Sequence, residues 1–281
     1  MSAIPVPAYD ASTWAGWAPT EILVVRYATR PTAHRAEHFY EHVDRSQETM
    51  PIDYFVWLVR GPGRSILVDA GFTPSTAEAR PGRHHLGSPL EALHDVGVES
   101  GEITDVVVTH CHYDHTGYVA ALPDARVHLQ AEELRFWTGP AAHHELYRTI
   151  IERADLLNLV ERNLDGSLVQ HEGALTLAPG VSLHPVGGHT AGMQVVRVEL
   201  ATAVVVLASD ASHFYENVGH RRPYAIAHCV PDVLAAFDTV EQLARGANGT
   251  AGVVLPGHDP AVCVRFPPVR PDLAGRVHVI R

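Results

Sequence analysis

The segment His110-Cys111-His112-Tyr113-Asp114-His115 gathers three imidazoles and a carboxylate into six residues. It follows directly on Val106-Val107-Val108, a β-branched run of the kind that forms a buried strand. The motif therefore begins where that strand leaves its sheet. Neutral imidazole and carboxylate suit zinc, iron, manganese or cobalt. Alternate residues of an extended segment point the same way, so His110 and His112 can share one cation while Cys111 faces elsewhere. Asp114 and His115 come as the chain turns into a helix and can reach a second cation beside the first. In a chain with 20 histidines the bland alternative is a histidine-rich surface loop. Three further segments argue against it.

Each of them is an apolar strand ending in a ligand-type side chain. Val181–Val186 leads into Gly187-Gly188-His189-Thr190-Ala191-Gly192, Val204–Ser209 into Asp210, and Val253–Leu255 into Pro256-Gly257-His258. Glycines beside His189 and His258 permit tight turns and close backbone approach. Ligands delivered from strand ends converge on one rim, as in many α/β sites.

The set H-C-H-Y-D-H, G-H-T-A-G, S-D and P-G-H, in that order between about Tyr54 and about Asp259, resembles the metallo-β-lactamase superfamily of metal-dependent hydrolases. The resemblance implies an α/β fold, a four-layer αββα sandwich of two mixed β-sheets flanked by helices. It also implies that His110, His112 and His189 hold one metal, that Asp114, His115 and His258 hold another, and that Asp210 bridges them. The implied cofactors are two divalent transition-metal ions, zinc first, with iron, cobalt or manganese as alternatives. Asp69, closing Ile66-Leu67-Val68-Asp69, matches an acidic residue expected to support a ligand histidine; capping a turn is its plainer role. Two cations sharing a water bring its pKa near neutrality and make it a hydroxide nucleophile, while one cation polarises the substrate oxygen. The reaction class is hydrolysis.

Within that superfamily, Asp210-Ala211-Ser212-His213-Phe214-Tyr215-Glu216-Asn217 resembles the segment after the bridging aspartate in N-acyl-homoserine lactonases. Those enzymes carry a tyrosine three residues after the aspartate, and this chain has His213 there, with Tyr215 two residues on. Either His213 or Tyr215 could donate a hydrogen bond to a developing oxyanion, and Asp114 could pass a proton to the leaving alkoxide. The expected activity is opening of a lactone ring, an N-acyl-homoserine lactone or a related one. The alternatives are another ester, thiolester or β-lactam hydrolase of the superfamily, or a non-catalytic metal-binding module. Glyoxalase II-type thiolester hydrolases and nucleases fit less well, given the short stretch after His258 and the acidic charge. Arg80, Arg83, Arg221 and Arg222 lie in segments that could wall the pocket, and Arg221 or Arg222 could meet a substrate carboxylate. Phe136, Trp137, Leu146 and Tyr147 either cover an apolar acyl pocket or belong to plain core.

A net charge of -11 argues against nucleic acid or an anionic membrane as partner; the partner expected is a small-molecule lactone or ester, bound by a monomer or homodimer. All 21 cationic residues are arginine, so only a guanidinium can bind an anionic substrate. Three scattered cysteines suggest no disulfide framework, and the absence of a signal-peptide pattern or a membrane-length apolar run makes the cytoplasm the expected location. The 281 residues can bury one full core, with a hydrolase domain over 51–281 and residues 1–50 integrated into it or packed on it. Strands are predicted at 21–29, 52–70 (a hairpin), 105–110, 126–130, 168–170, 174–177, 181–186, 194–200, 203–209 and 252–255. Helices are predicted over 89–96, 115–122, 131–137, 145–163 and 231–245. The spacing of His34, His38 and His42 suggests one face of a solvated helix.

Overall fold

The computed structural model describes residues 11–41, 43–246 and 251–281. The strands in chain order are β1 (Glu21–Arg30), β2 (Ile52–Gly61), β3 (Arg64–Val68), β4 (His84–His85), β5 (Ile103–Val107), β6 (Arg126–Gln130), β7 (Leu168–His171), β8 (Leu175–Ala178), β9 (Val181–Pro185), β10 (Gln194–Glu199), β11 (Val204–Ser209), β12 (Val253–Pro256) and β13 (Val277–Ile280). Among the described residues they form two mixed sheets. One runs β13-β1-β2-β3-β5-β6-β7 with β4 paired to β1, and the other runs β12-β11-β10-β9-β8.

The apolar runs read as buried strands because both faces of the first sheet are covered. Along β2, Tyr54, Val56 and Leu58 face a core shared with outer helices, whereas Phe55, Trp57 and Val59 face the second sheet. Side chains that alternate between two buried faces leave no polar position in the run. Leu183, Val196, Val198, Val205 and Leu207 answer from the second sheet. On that sheet's outer face Val195, Val206 and Ala208 pack against Val240 of the helix Val230–Leu243. The four layers are helix, sheet, sheet, helix.

Several elements differ from the sequence expectation. The predicted helix over 145–163 is broken into Glu145–Arg148 and Arg153–Asp165. The carbonyl of Ile150, in the gap, accepts the backbone N–H of Tyr113 at 3.0 Å, so the break fastens the loop that carries the metal motif. The helix expected over 115–122 is split into the turn Tyr113–Thr116 and the short 3-10 turn Val119–Ala121, because Gly117 N–H and Tyr118 N–H go to the carbonyls of Gly71 and Ala70 (2.6 and 3.0 Å). No helix carries His34 and His38 on one face; the chain there makes only the short 3-10 turn Arg35–Glu37. His38 is buried and its Nε2 lies 2.7 Å from the Met50 carbonyl, while His42 falls outside the described residues. The edge strand β13 and the helices Pro74–Glu78 and Tyr215–His220 carried no clear periodic signal.

Trp14 and Trp17 are buried in the core between the sheets, ring centroids 4.8 Å apart edge to face. The Arg64 guanidinium lies 4.0 Å above the Trp14 ring, adding a cation–π contact to the buried area. Trp14→Ala is expected to lower unfolding free energy by about 3–5 kcal/mol, the usual cost of emptying a buried aromatic site. Urea denaturation followed by circular dichroism checks this; a loss below about 1 kcal/mol would mean the segment before β1 does not share the core.

Candidate metal centre

The loops after β5, β9, β11 and β12 meet at one rim of the sandwich. Buried donors gather there in overlapping groups, His110, His112, His189 and Asp210 in one, Asp114, His115 and His258 in another, and Asp210, His213 and His258 in a third, with ligand atoms within 4.8 Å of one another in each. Such a cluster can hold metal ions. Asp210 lies between the rings of both clusters. Oδ2 lies 3.9 Å from His110 Nε2 and 3.3 Å from His189 Nε2, Oδ1 lies 3.5 Å from His115 Nε2, and His258 Nε2 is 3.1 Å from Oδ1 and 3.2 Å from Oδ2. His112 presents Nδ1, 2.9 Å from His189 Nε2. Asp114 Oδ2 stands 3.6 and 3.7 Å from His115 and His258 Nε2. Donors held about 2.0–2.1 Å from a tetrahedral zinc are themselves separated by roughly 3.3 Å, so these spacings suit a common cation. The buried atoms His110 Nε2, His115 Nε2 and Asp210 Oδ1 have no hydrogen-bond partner, an arrangement that costs free energy unless something else satisfies them.

Burial pushes His110 and His112 well below the usual imidazole range, with neighbouring histidines adding to the fall. That keeps both rings neutral, the form that binds metal. For His115 burial acts the same way, but Asp69, Asp114 and Asp210 outweigh it and hold its pKa well above the ordinary value. Burial would raise the Asp210 carboxyl; His258, His115 and His213 reverse this and hold it well below the usual carboxylate range.

Asp69 fixes the rim. Its Oδ1 accepts the Thr109 backbone N–H at 2.8 Å, and its Oδ2 lies 2.8 Å from His115 Nδ1 while accepting the hydroxyls of Thr109 and Ser209, each at 2.9 Å. Nδ1–H of His115 then points at Asp69 and Nε2 is left for the cluster. His258 is oriented likewise, its Nδ1 being 2.8 Å from the Asp53 carbonyl, and His189 Nδ1 is 2.8 Å from the Ile226 carbonyl. Two glycines let the loops close. A Cβ on Gly257 would sit 2.5 Å from Asp210 Oδ1, and one on Gly188, where φ is +82°, would sit 2.7 Å from Val233 N.

Glu133, which sequence reasoning passed over, joins the first and second motifs. Fully buried, it accepts the backbone N–H of Cys111, the Trp137 indole, the Thr190 hydroxyl and the Gly192 N–H at 2.9, 2.6, 2.7 and 2.8 Å. A glutamate in the first turn of a short helix looks like a solvated position; only the three donors from distant segments, Cys111, Thr190 and Gly192, reveal its role.

The two expected oxyanion donors part company. His213 lines the cavity over the cluster, its Nε2 3.2 Å from Asp210 Oδ2, and its ring is stacked 4.4 Å from that of Tyr224. Burial lowers its pKa to about 3 against the pull of Asp210. Tyr215 points elsewhere: it packs against the core between the sheets, with the Arg265 guanidinium 3.8 Å over its ring, and it does not line the cavity. The backbone explains this, since Tyr215 opens a helix whose first N–H is taken by Asp259 at 3.0 Å. Arg221 and Arg222 also turn away, to Asp238 and to Glu216 and Glu41. Arg80 and Arg83 do line the cavity, which measures about 190 Å³. A second cavity of about 310 Å³, walled by Phe136, Trp137, Leu146, Tyr147, Ile226 and His228, shares His112 and His189 with the first.

A match to the metallo-beta-lactamase superfamily covers residues 51–258, most of the chain and all four ligand-bearing loops. The chain belongs to that superfamily. N-acyl homoserine lactonase AiiB of Agrobacterium fabrum is 28% identical over 233 residues, covering 76% of this chain and 82% of that protein. A crystal structure of a quorum-quenching N-acyl homoserine lactone lactonase matches with a TM-score of 0.70 at 19% identity, covering 86% of this chain and 93% of that one. AidC, a dizinc quorum-quenching lactonase in complex with a product, matches with a TM-score of 0.64 at 17% identity over 86% of this chain and 90% of that one. At such identities the solved structures speak for the fold, and they agree with the two-sheet sandwich. No helix among the described residues is long and apolar enough to cross a membrane.

If Asp69 orients His115, removing it should cost metal without unfolding the protein. Partners of this kind are usually worth about 10–100-fold in metal affinity. Asp69→Ala is expected to lower affinity at one of the two positions by that factor, read by competition with a chromogenic chelator. Unchanged affinity at both positions would reduce Asp69 to a structural link between loops.

Proposed function

We propose that this metallo-hydrolase carries two divalent transition-metal ions and opens lactone rings. The observation that carries the two-ion reading is the place of Asp210 between two groups of donors, with His110 and His189 on its Oδ2 side, His115 on its Oδ1 side and His258 within reach of both oxygens. His110, His112 and His189 would hold one ion, Asp114, His115 and His258 the other, and Asp210 would serve both. The chemistry such a pair supplies is a water activated near neutral pH and a polarised substrate carbonyl. Zinc is the first choice, with iron, cobalt and manganese open to the same donors.

The chain's own residues do the rest. Asp114 is positioned at the cavity wall, where its carboxylate can take up the proton released by the attacking water and pass it to the alkoxide as the ring opens. His213 is the remaining candidate to donate a hydrogen bond to the carbonyl oxygen, because it lines the cavity and Tyr215 does not. Stacking on Tyr224 holds its ring in place. The neighbouring apolar cavity can take an acyl or alkyl group, leaving the ester carbonyl at the shared wall of His112 and His189. The lactone reading draws on the similarity to AiiB and on the Asp210-Ala211-Ser212 context, while His213 in place of tyrosine points to an altered substrate. Cleavage of a different ester, thiolester or β-lactam is the second reading, since the same donors serve each.

Purified protein should carry close to two transition-metal ions per chain by elemental analysis, and a fully active preparation with one would rule out the paired centre. Asp210→Asn should weaken both positions. A panel of acyl-homoserine lactones, γ- and δ-lactones, a thiolester and a chromogenic β-lactam, followed by acid release where no chromophore exists, should show lactone opening first. Thiolester or β-lactam turnover with no lactone opening would instead select the second reading.

On the best substrate, His213→Ala should lower kcat by about 10²–10³, the usual cost of one oxyanion donor, with metal content retained. Asp114→Asn reloaded with metal should lower kcat more than it raises KM. Wild-type turnover in either variant removes that residue from the reaction, and equal loss in Tyr215→Phe would mean the loop rearranges.

A further inference from the structure

Three guanidinium groups, Arg30, Arg80 and Arg83, line the cavity above the histidine cluster in a chain whose net charge is strongly negative. Two are already neutralised. Arg30 pairs with Glu37, and Arg80 pairs with Glu152 at 3.1 Å while donating to the Ile151 carbonyl. Arg83 differs. Its Nε donates to the Tyr113 hydroxyl and its Nη1 to the Pro81 carbonyl, each at 3.2 Å. Among the described residues no carboxylate comes within ion-pairing distance of it and Nη2 has no partner. The other acids on the cavity wall are spoken for, since Glu37 holds Arg30 while Asp114 and Asp210 face the histidines. Arg80 lies 4.2 Å over the Tyr113 ring and Arg83 5.9 Å from the same ring, so this aromatic holds both guanidiniums at the wall. Tyr113 is also the residue immediately before Asp114, which ties that wall to the cluster.

A partly buried guanidinium that meets no carboxylate at ion-pairing distance is costly, and its planar fork matches a carboxylate in two parallel hydrogen bonds. We propose that Arg83 forms, with Arg80 and Arg30 shaping the wall around it, a subsite for a carboxylate on the substrate, distinct from the ester group that is cleaved. The lactones or esters this enzyme prefers then carry a negative charge on one side of the scissile bond and can carry an apolar group on the other, towards Phe136, Trp137 and Tyr147. This deepens the hydrolase reading above and rests on it.

The test compares 5-oxotetrahydrofuran-2-carboxylate with its neutral primary amide, two γ-lactones of nearly equal size, using the metal-loaded full chain. The wild type should favour the anion by about tenfold or more in kcat/KM, and added salt should shrink the preference. Loss of one charge-assisted bidentate contact is worth about tenfold or more, so Arg83→Gln should collapse the anion-to-amide ratio, mainly through KM, and Arg83→Lys should restore part of it. If Arg83 merely positions Tyr113, both substrates lose rate together and the ratio stays; that result, or a wild type without preference for the anion, overturns the subsite. Should neither lactone be opened, calorimetric binding of the same carboxylate lactone and of its neutral amide decides. Tighter binding of the carboxylate by the wild type, erased in Arg83→Gln, keeps the subsite while the lactone reading falls. Equal binding removes both.

Discussion

A single carboxylate at the seam between the two sheets sets the geometry of everything above it. Asp69 ends β3 of the first sheet, yet its oxygens bind Thr109 and His115 from the loops after β5 and Ser209 from the end of β11 in the second sheet. To reach them it adopts φ of 60°, and Ser209 adopts 46°. Left-handed backbone at a non-glycine residue costs roughly 1–3 kcal/mol and persists only where the surroundings over-determine it. Four hydrogen bonds to one buried carboxylate are such surroundings. Glycine at position 69 would ease the backbone and lose the group that orients His115.

Around that anchor each loop is fixed by a different device. Glu133 draws the H-C-H-Y-D-H and G-H-T-A-G loops onto one helix through three donors, Cys111 N–H, the Thr190 hydroxyl and Gly192 N–H. Gln194 reaches across from β10, its backbone N–H to Thr109 O at 3.0 Å and its side-chain amide to Val108 O at 2.8 Å. The backbone pair of Asp53 and His258, at 3.0 Å, ties the last loop to β2. Each contact joins elements of different sheets or distant sequence, so the donors converge by construction. A buried polar network of this kind is stable only when every member is satisfied, and His110 Nε2, His115 Nε2 and Asp210 Oδ1, which face the cluster, are among the buried atoms left without a hydrogen-bond partner.

Much of this was legible in the residues. Runs such as Val204–Ala208 announce strands buried on both faces, and the placement of His110, Asp210 and His258 immediately after such runs puts them on one rim without any knowledge of pairing. What was not legible depends on direction and on distant partners. Tyr215 and His213 are both two-faced candidates in sequence, and only the helix beginning at Tyr215 decides which ring enters the cavity. Glu133 looks exposed until three donors arrive from the two loops. The break at Thr149–Glu152 follows from a tertiary hydrogen bond that outweighs local helix propensity, and β13 becomes a strand by pairing with β1 more than by its own composition.

The strand ends that meet at the rim are far apart along the chain, from His110 to His258. On the proposed ligand assignment, each ion would close covalent-like loops many dozens of residues long, and Asp210 would join the two sets of loops into one knot of constraints. The entropy removed from an unfolded chain by such closure grows only with the logarithm of loop length, but it is already large for a first long loop. The metal pair would therefore serve this protein as an internal staple of the kind that secreted proteins build from cystine, in a chain whose three cysteines remain unpaired.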